Sequence, residues 1–194
     1  MTAFRAILSA LLLIETWGAP AGVSGEPAPG VVILSPYRSL VGANARPRLL
    51  PHAGVDVAAP VGTPVIAAAD GVVSLLIDYE PGCGIGVVLA HPAFNRWTAY
   101  CHLTRALVTT GQRVARGEPI GLSGTSGSSA SIPHVHLELC TRACASHRDG
   151  DLGGTQDPVP AIAGCHDPRR VHAGDRLVLT WPVSCGGGTA GASR

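Results

Sequence analysis

With 194 residues, the chain has room for one ordinary domain together with a targeting segment and tails. Its formal net charge is +1, and its charged residues are scattered, so it lacks the basic stripe that binding to nucleic acid requires. Every basic side chain other than histidine is arginine, which excludes chemistry that depends on a lysine amine.

Residues 1–25 have the pattern of a secretory signal peptide. Arg5 supplies the positive region, residues 6–14 are apolar, and small residues around Gly18 and Gly25 offer cleavage sites. The apolar run is shorter than the roughly 20 residues that a spanning helix needs, so a transmembrane anchor is the weaker interpretation. We therefore expect export to the periplasm or outside the cell, with no stable membrane span after cleavage.

The composition changes at about residue 49. Residues 26–48 are rich in Pro, Gly and Arg and predict an extended lead-in, whose apolar run at 31–34 can add an edge strand. Over 49–160, short apolar runs separated by turn residues recur roughly every eight to twelve positions, which predicts an all-β domain with short loops and antiparallel pairing. The expected strands are 55–58, 64–68, 71–77, 85–91, 97–103, 113–114, 119–123 and 134–139.

Residues 161–194 form a C-terminal extension with one candidate strand at 176–183, and the Gly-rich end after Cys185 is expected to be disordered. An even number of cysteines suits an oxidising compartment and up to three disulfides, whose connectivity the sequence leaves open. The alternative is a cysteine-ligated zinc site, but Cys140 and Cys144 lack the Cys-x2-Cys spacing typical of such sites. The six cysteines are Cys83, Cys101, Cys140, Cys144, Cys165 and Cys185.

Five polar residues in the β region have the types and spacing of a metal centre. His52 and Asp56 are separated by a segment whose glycine permits a close approach, so both can reach one ion. His134 and His136 are two apart on a predicted strand, and because side chains alternate with a period of two, both imidazoles face the same side. His102 ends a neighbouring strand, from which it can reach the same groove.

Each of these features also has a structural explanation. A lone His-x3-Asp is common by chance, whereas a His-x-His pair in a strand is costly to bury without a partner. Their conjunction in a small exported β domain is what favours a metal site. The remaining histidines, which we expect to be structural or solvated, are His91, His147, His166 and His172.

Four segments that follow one another in residues 49–160 resemble the M23 family of metallopeptidases, which includes lysostaphin-like and LytM-like enzymes. They are HAGVDVAAPVGTPVIAAADGVV, TAYCHL, VTTGQRVARGEPIGLSGTSGSS and PHVHLEL. The resemblance implies a substrate groove on an antiparallel sheet, with Zn2+ held by His52, Asp56 and His136. It also implies that His102 and His134 flank the attacking water, in an endopeptidase that cuts peptide cross-links or bridges of bacterial peptidoglycan.

Several alternatives stay open at this point. A non-catalytic LytM-like regulator or binding module of cell-wall hydrolases would share the fold, and a structural zinc would fill its fourth position with His102 or His134. The turn pattern at 62–73 and 111–121 also resembles carriers of lipoate or biotin, but these need a lysine. Glu138 is either a hydrogen-bond partner of His136 or a solvated edge residue.

Overall fold

The computed structural model describes residues 30–128, 130–144 and 154–186. The predicted signal peptide, 1–25, and the last residues of the predicted tail, 187–194, lie outside the described residues. Within the described ranges, no helix has the length and apolarity to cross a membrane.

The architecture is a ten-stranded antiparallel sheet, which confirms the predicted fold class. The strands are β1 Ile33–Ser35, β2 Val55–Ala58, β3 Pro64–Ile66, β4 Gly71–Glu80, β5 Gly84–His91, β6 Arg96–Ala106, β7 Arg113–Val114, β8 Pro119–Ser123, β9 His134–Cys140 and β10 Thr155–Gln156. The main path of the sheet runs β1-β2-β9-β6-β5-β4-β7, with β10 paired to β9 and β8 bridging β3 and β6. Short 3-10 turns lie at Pro92–Phe94 and Val159–Ala161.

Strand β9 lies at the centre of the sheet and places the histidine pair. It pairs with β2 on one side and β6 on the other, so Asp56, His136 and Cys101 lie in one row across three strands. Val135 and Leu137 alternate with the histidines and are fully buried in the core. The period of two therefore separates a face that packs from a face that carries polar side chains.

The core holds mainly aliphatic side chains from β2, β3, β5, β6, β8 and β9, each of which gains roughly 1.5–3 kcal/mol on burial. Tyr100 is its largest fully buried side chain. The Tyr100 hydroxyl accepts a hydrogen bond from the backbone N–H of Ala68 at 2.9 Å, so the one polar atom of this ring is satisfied. The fully buried members include Val55, Val57, Val65, Leu89, Leu103, Ile120, Val135 and Leu137.

The sequence predicts a strand in each of the two segments that flank this domain, and the structure contains one of the two. The lead-in contributes the expected edge strand, because β1 pairs with β2. The strand predicted at 176–183 is wrong, since this segment makes only an isolated bridge between Leu179 and Ile162. Its backbone bonds mainly to loops instead, with the N–H of Thr180 donating to Ala68 and the N–H of Trp181 donating to Gly164. One bond reaches a strand, from the N–H of Ile66 in β3 to the carbonyl of Pro182.

The six cysteines form three disulfides, which confirms that expectation and fixes the connectivity: Cys83–Cys101, Cys140–Cys144 and Cys165–Cys185. Because all six thiols are consumed, the alternative of a cysteine-ligated zinc site is wrong.

Candidate metal centre

Three side-chain atoms converge at the centre of the polar face. Nε2 of His52 lies 2.8 Å from Nδ1 of His136 and 3.0 Å from Oδ1 of Asp56, and the third edge of the triangle, from His136 to Asp56, is 2.9 Å. The structure therefore brings together the three residues that the resemblance to the M23 family implies as ligands. All three are buried.

Local backbone structure explains how the three residues meet. Asp56 and His136 are directly opposite each other in the β2–β9 pairing, while His52 lies in the loop that precedes β2. Gly54, between His52 and Asp56, passes so close to β9 that a Cβ atom there would overlap the carbonyl oxygen of Leu137. The expected close approach at this glycine is thus confirmed.

The outward atom of each of these side chains is already bonded. Nδ1 of His52 donates to the carbonyl of Pro36 at 3.0 Å, and Nε2 of His136 donates to Oε1 of Glu138 at 3.0 Å. These bonds select the tautomers that leave His52 Nε2 and His136 Nδ1 with lone pairs facing the centre. Glu138 is buried, so its interpretation as a solvated edge residue is wrong.

Asp56 is oriented in the same way by Arg48. Nη2 of Arg48 lies 2.7 Å from Oδ2 of Asp56, which leaves Oδ1 for the centre. Arg48 is not predictable as a site residue, because it lies in the lead-in and nothing in the sequence distinguishes it from the nearby Arg46.

The charges at the centre favour binding of a cation. Burial opposes ionisation of Asp56, but hydrogen bonds from His136 and His52 outweigh it and hold the pKa of this carboxyl far below its usual range. Burial likewise opposes protonation of His136, yet its bonds to Asp56 and Glu138 raise its pKa to about 9. Burial lowers the pKa of His52, which keeps it neutral. A divalent cation would replace the proton on His136, so rising pH favours metal binding.

His102 and His134 stand beside this triangle and share one arrangement. Nδ1 of His102 donates to the carbonyl of Ser126 at 2.9 Å, and Nδ1 of His134 donates to the carbonyl of Ile132 at 2.7 Å. Their ring centroids are 4.6 Å apart. Nε2 of each ring is therefore the unprotonated nitrogen, and that of His134 lies 3.5 Å from Oδ1 of Asp56.

Burial is the main reason that both of these rings stay neutral. It lowers the pKa of His134, and together with the repulsion that a protonated His136 or His134 would exert it lowers the pKa of His102 to about 3. Two neutral imidazoles beside a cation site can accept a proton from water.

The other histidines play different parts. His91 is buried and bonded at both nitrogens, to the carbonyl of Asp70 and the hydroxyl of Thr98, which is a structural role. His166 and His172 line a cavity at the C-terminal extension. His147 lies outside the described residues.

The residues at the centre fit zinc. Two imidazole nitrogens and one carboxylate oxygen are the ligand set that zinc accepts in enzymes, and zinc–nitrogen distances of about 2.0–2.1 Å are compatible with ligand atoms roughly 3 Å apart. Without a cation, two lone pairs and a carboxylate would face one another in a buried space, which a proton on His136 relieves only in part.

Comparison with known proteins decides the family. The model of peptidase family M23 matches residues 50–148, which are 99 of the 194 residues. This chain belongs to peptidase family M23. The matched region contains all three candidate ligands and both flanking histidines, whereas Arg48 lies just before it.

Curated M23 relatives from bacteria are similar over this region. The peptidoglycan DD-endopeptidase ShyA of Vibrio cholerae is 45% identical over 95 residues, which are 49% of this chain and 21% of ShyA. The glycyl-glycine endopeptidase ALE-1 of Staphylococcus capitis is 37% identical over 113 residues, 57% of this chain and 29% of ALE-1. The chain thus spans less than a third of the length of these relatives.

Solved structures share the fold. The catalytic domain of lysostaphin from Staphylococcus simulans has a TM-score of 0.52 and 27% identity, covering 66% of this chain and 87% of that domain. A zinc-containing peptidase from Vibrio cholerae has a TM-score of 0.50 and 34% identity, covering 61% and 37% respectively. The antiparallel M23 sheet is therefore common to all three.

Replacing Arg48 with glutamine is expected to weaken zinc binding by roughly 10- to 100-fold, because Oδ2 of Asp56 loses its charged partner and the carboxylate becomes free to turn. Competition titration against a chromogenic zinc chelator would measure the affinity. Arg46→Gln is the matched control, since Arg46 is exposed on the same segment. Equal affinities for the two variants would show that Arg48 does not orient Asp56.

Proposed function

We propose that this chain is a zinc-dependent endopeptidase that hydrolyses peptide cross-links or bridges of bacterial peptidoglycan. The observation that carries the proposal is the convergence of His52, Asp56 and His136, each with its outward atom bonded and its inward atom directed at the other two. We assign the metal to these three residues. Two neutral imidazoles beside them supply the proton-handling groups that a hydrolase needs.

A zinc ion bound there would act as a Lewis acid that lowers the pKa of water and polarises a peptide carbonyl. The chain's own residues would manage the protons. Nε2 of either His102 or His134 accepts a proton from the attacking water, because Nδ1 of each ring is committed to a backbone carbonyl.

The same two residues can serve the later step. Once protonated, an imidazole donates from both nitrogens, so the ring can donate a hydrogen bond to the developing oxyanion or a proton to the departing amine. The ring that accepts the water's proton then delivers it to the departing amine, while the other ring, when it is protonated, donates a hydrogen bond to the developing oxyanion. Which of His102 and His134 takes each role is left open.

The substrate class follows from the relatives. ShyA is named a peptidoglycan DD-endopeptidase and ALE-1 a glycyl-glycine endopeptidase, so both act as endopeptidases although the bonds differ. A non-catalytic regulator would be favoured by a missing or displaced ligand, whereas the three ligand atoms converge within 3.0 Å of one another. We further propose that residues 49–160 form the catalytic unit and that residues 1–25 direct its export.

Digestion of purified cell walls would test this function. The mature protein is incubated with walls cross-linked directly through D-amino acids and, separately, with walls cross-linked through glycine bridges, and mass spectrometry identifies the new amino termini. We expect soluble fragments from at least one wall, cut at a peptide bond in the cross-link. The proposal fails if neither wall releases fragments, or if the cuts fall in the glycan strand.

A further inference from the structure

We propose that the Cys83–Cys101 disulfide is a positioning element of the active site, which holds His102 in the orientation that turnover requires. The inference rests on the proposed function, because it takes His102 to handle a proton. Of the three disulfides, only Cys83–Cys101 is assigned this positioning of His102.

His102 has an unusual backbone conformation. Its φ is +64°, in the left-handed region that residues other than glycine rarely adopt. The pairing of β5 with β6 jumps from Val87–Tyr100 to Ile85–Leu103, so Cys101 and His102 together face the single residue Gly86. Such a bulge re-aims a side chain and must be held by its surroundings.

The turn between β4 and β5 stabilises this backbone conformation of His102. The backbone N–H of His102 donates to the carbonyl of Cys83 at 2.8 Å, while the disulfide joins Cys83 to Cys101, the residue next to His102. A Cβ atom on Gly86 would clash with Sγ of Cys83, so the disulfide packs directly over the residue that faces the bulge.

The same turn also holds the second acceptor of His102. The backbone N–H of Ile85 donates to Oγ of Ser126 at 2.9 Å. Gly84 packs so closely against Ser126 and Gly127 that a Cβ atom on Gly84 or on Gly127 would overlap the other segment. The carbonyl of Ser126 accepts the bond from Nδ1 of His102 that sets its tautomer. Movement of the turn would therefore disturb both the backbone and the ring of His102.

Neither of the other two disulfides joins a residue next to His102. Cys140–Cys144 closes a short loop at the end of β9, and Cys165–Cys185 joins two parts of the C-terminal extension. The metal ligands belong to β2, β9 and the loop before β2, and none of these elements carries Cys83 or Cys101, although Cys101 lies opposite His136 in the β6–β9 pairing. Zinc content is therefore measured together with kcat.

The test compares two double variants, Cys83→Ala/Cys101→Ala and Cys165→Ala/Cys185→Ala, with the wild-type protein. Steady-state hydrolysis of a purified cross-linked muropeptide dimer gives kcat and KM, with zinc per chain and Tm measured alongside. We expect kcat of the Cys83/Cys101 variant to fall by about tenfold or more, since small misplacements of catalytic groups have effects of this size. Zinc content and KM should stay near the wild-type values, and the Cys165/Cys185 variant should retain kcat.

The inference is overturned if the Cys83/Cys101 variant keeps the wild-type kcat, or if both double variants lose kcat equally. If the Cys83/Cys101 variant fails to fold or to hold zinc, Ser126→Ala tests the inference instead. This substitution removes the hydrogen bond from the N–H of Ile85 to Oγ of Ser126 and leaves the disulfide intact. Retained zinc with a lower kcat in Ser126→Ala supports the inference, and an unchanged kcat overturns it. Hydrolysis by the wild-type protein in the same assay tests the proposed function separately.

Discussion

His136→Ala is expected to lose both bound zinc and peptidoglycan hydrolysis. The substitution removes one of the three ligands and deprives the buried Asp56 carboxylate of a bond at 2.9 Å. The expected loss of zinc affinity exceeds the roughly 100-fold that follows from removal of an outer partner such as Arg48. Metal analysis of the purified variant, together with release of soluble fragments from cell walls, would measure both effects.

His172→Ala is the matched control for this substitution, because His172 lies in the C-terminal extension and lines a cavity there. Circular dichroism would verify that both variants are folded. Hydrolysis by a metal-free His136→Ala protein would contradict the assignment of His136 as a ligand.

His102→Ala is expected to keep zinc and to lose roughly 10^2- to 10^4-fold in kcat, the range typical of a general acid or base. Nε2 of His102 has no hydrogen-bond partner among the described residues, whereas its Nδ1 is bonded to Ser126, and the ring centroid lies 5.9 Å from that of His136. The group is thus placed beside the candidate ligands without belonging to the triangle. Zinc content and kcat of the variant would be measured on the same preparation.

His134→Ala provides the companion measurement, because His134 has the same anchored Nδ1. Loss of zinc in either variant would favour a structural site with four protein ligands. Retention of both zinc and kcat in His102→Ala would show that His102 takes no part in the chemistry.

The sequence predicted the strands well where one face of a strand packs. Strands β2, β7 and β8 have the predicted bounds, because turn residues delimit each apolar run. The segment at 176–183 has a similar apolar pattern, yet its backbone bonds mainly to loops and reaches β3 through one bond, from the N–H of Ile66 to the carbonyl of Pro182. Pro182 itself lacks an N–H and cannot extend a ladder there. Apolar pattern predicts burial there correctly, but it does not identify the partner.

The candidate site was predictable in part. The residue types and spacing of His52, Asp56, His134 and His136 marked them as candidates, and the pairing of β2 with β9, which the sequence did not predict, places Asp56 opposite His136. The atoms that orient these rings are backbone carbonyls of Pro36, Ile132 and Ser126. Every residue has a backbone carbonyl, so the residue types in a sequence do not identify these acceptors. Disulfide connectivity and the left-handed backbone of His102 likewise depend on long-range contacts.

The central claim, a zinc-dependent peptidase, is tested most directly by metal back-titration. The mature protein is stripped with a chelator, dialysed, and assayed for release of soluble peptidoglycan fragments at increasing ratios of zinc to protein. We predict no release from the stripped protein and recovery that saturates at about one zinc per chain, as expected for a single three-residue site. Release by the stripped protein, or stoichiometric zinc binding without any release, would contradict the account.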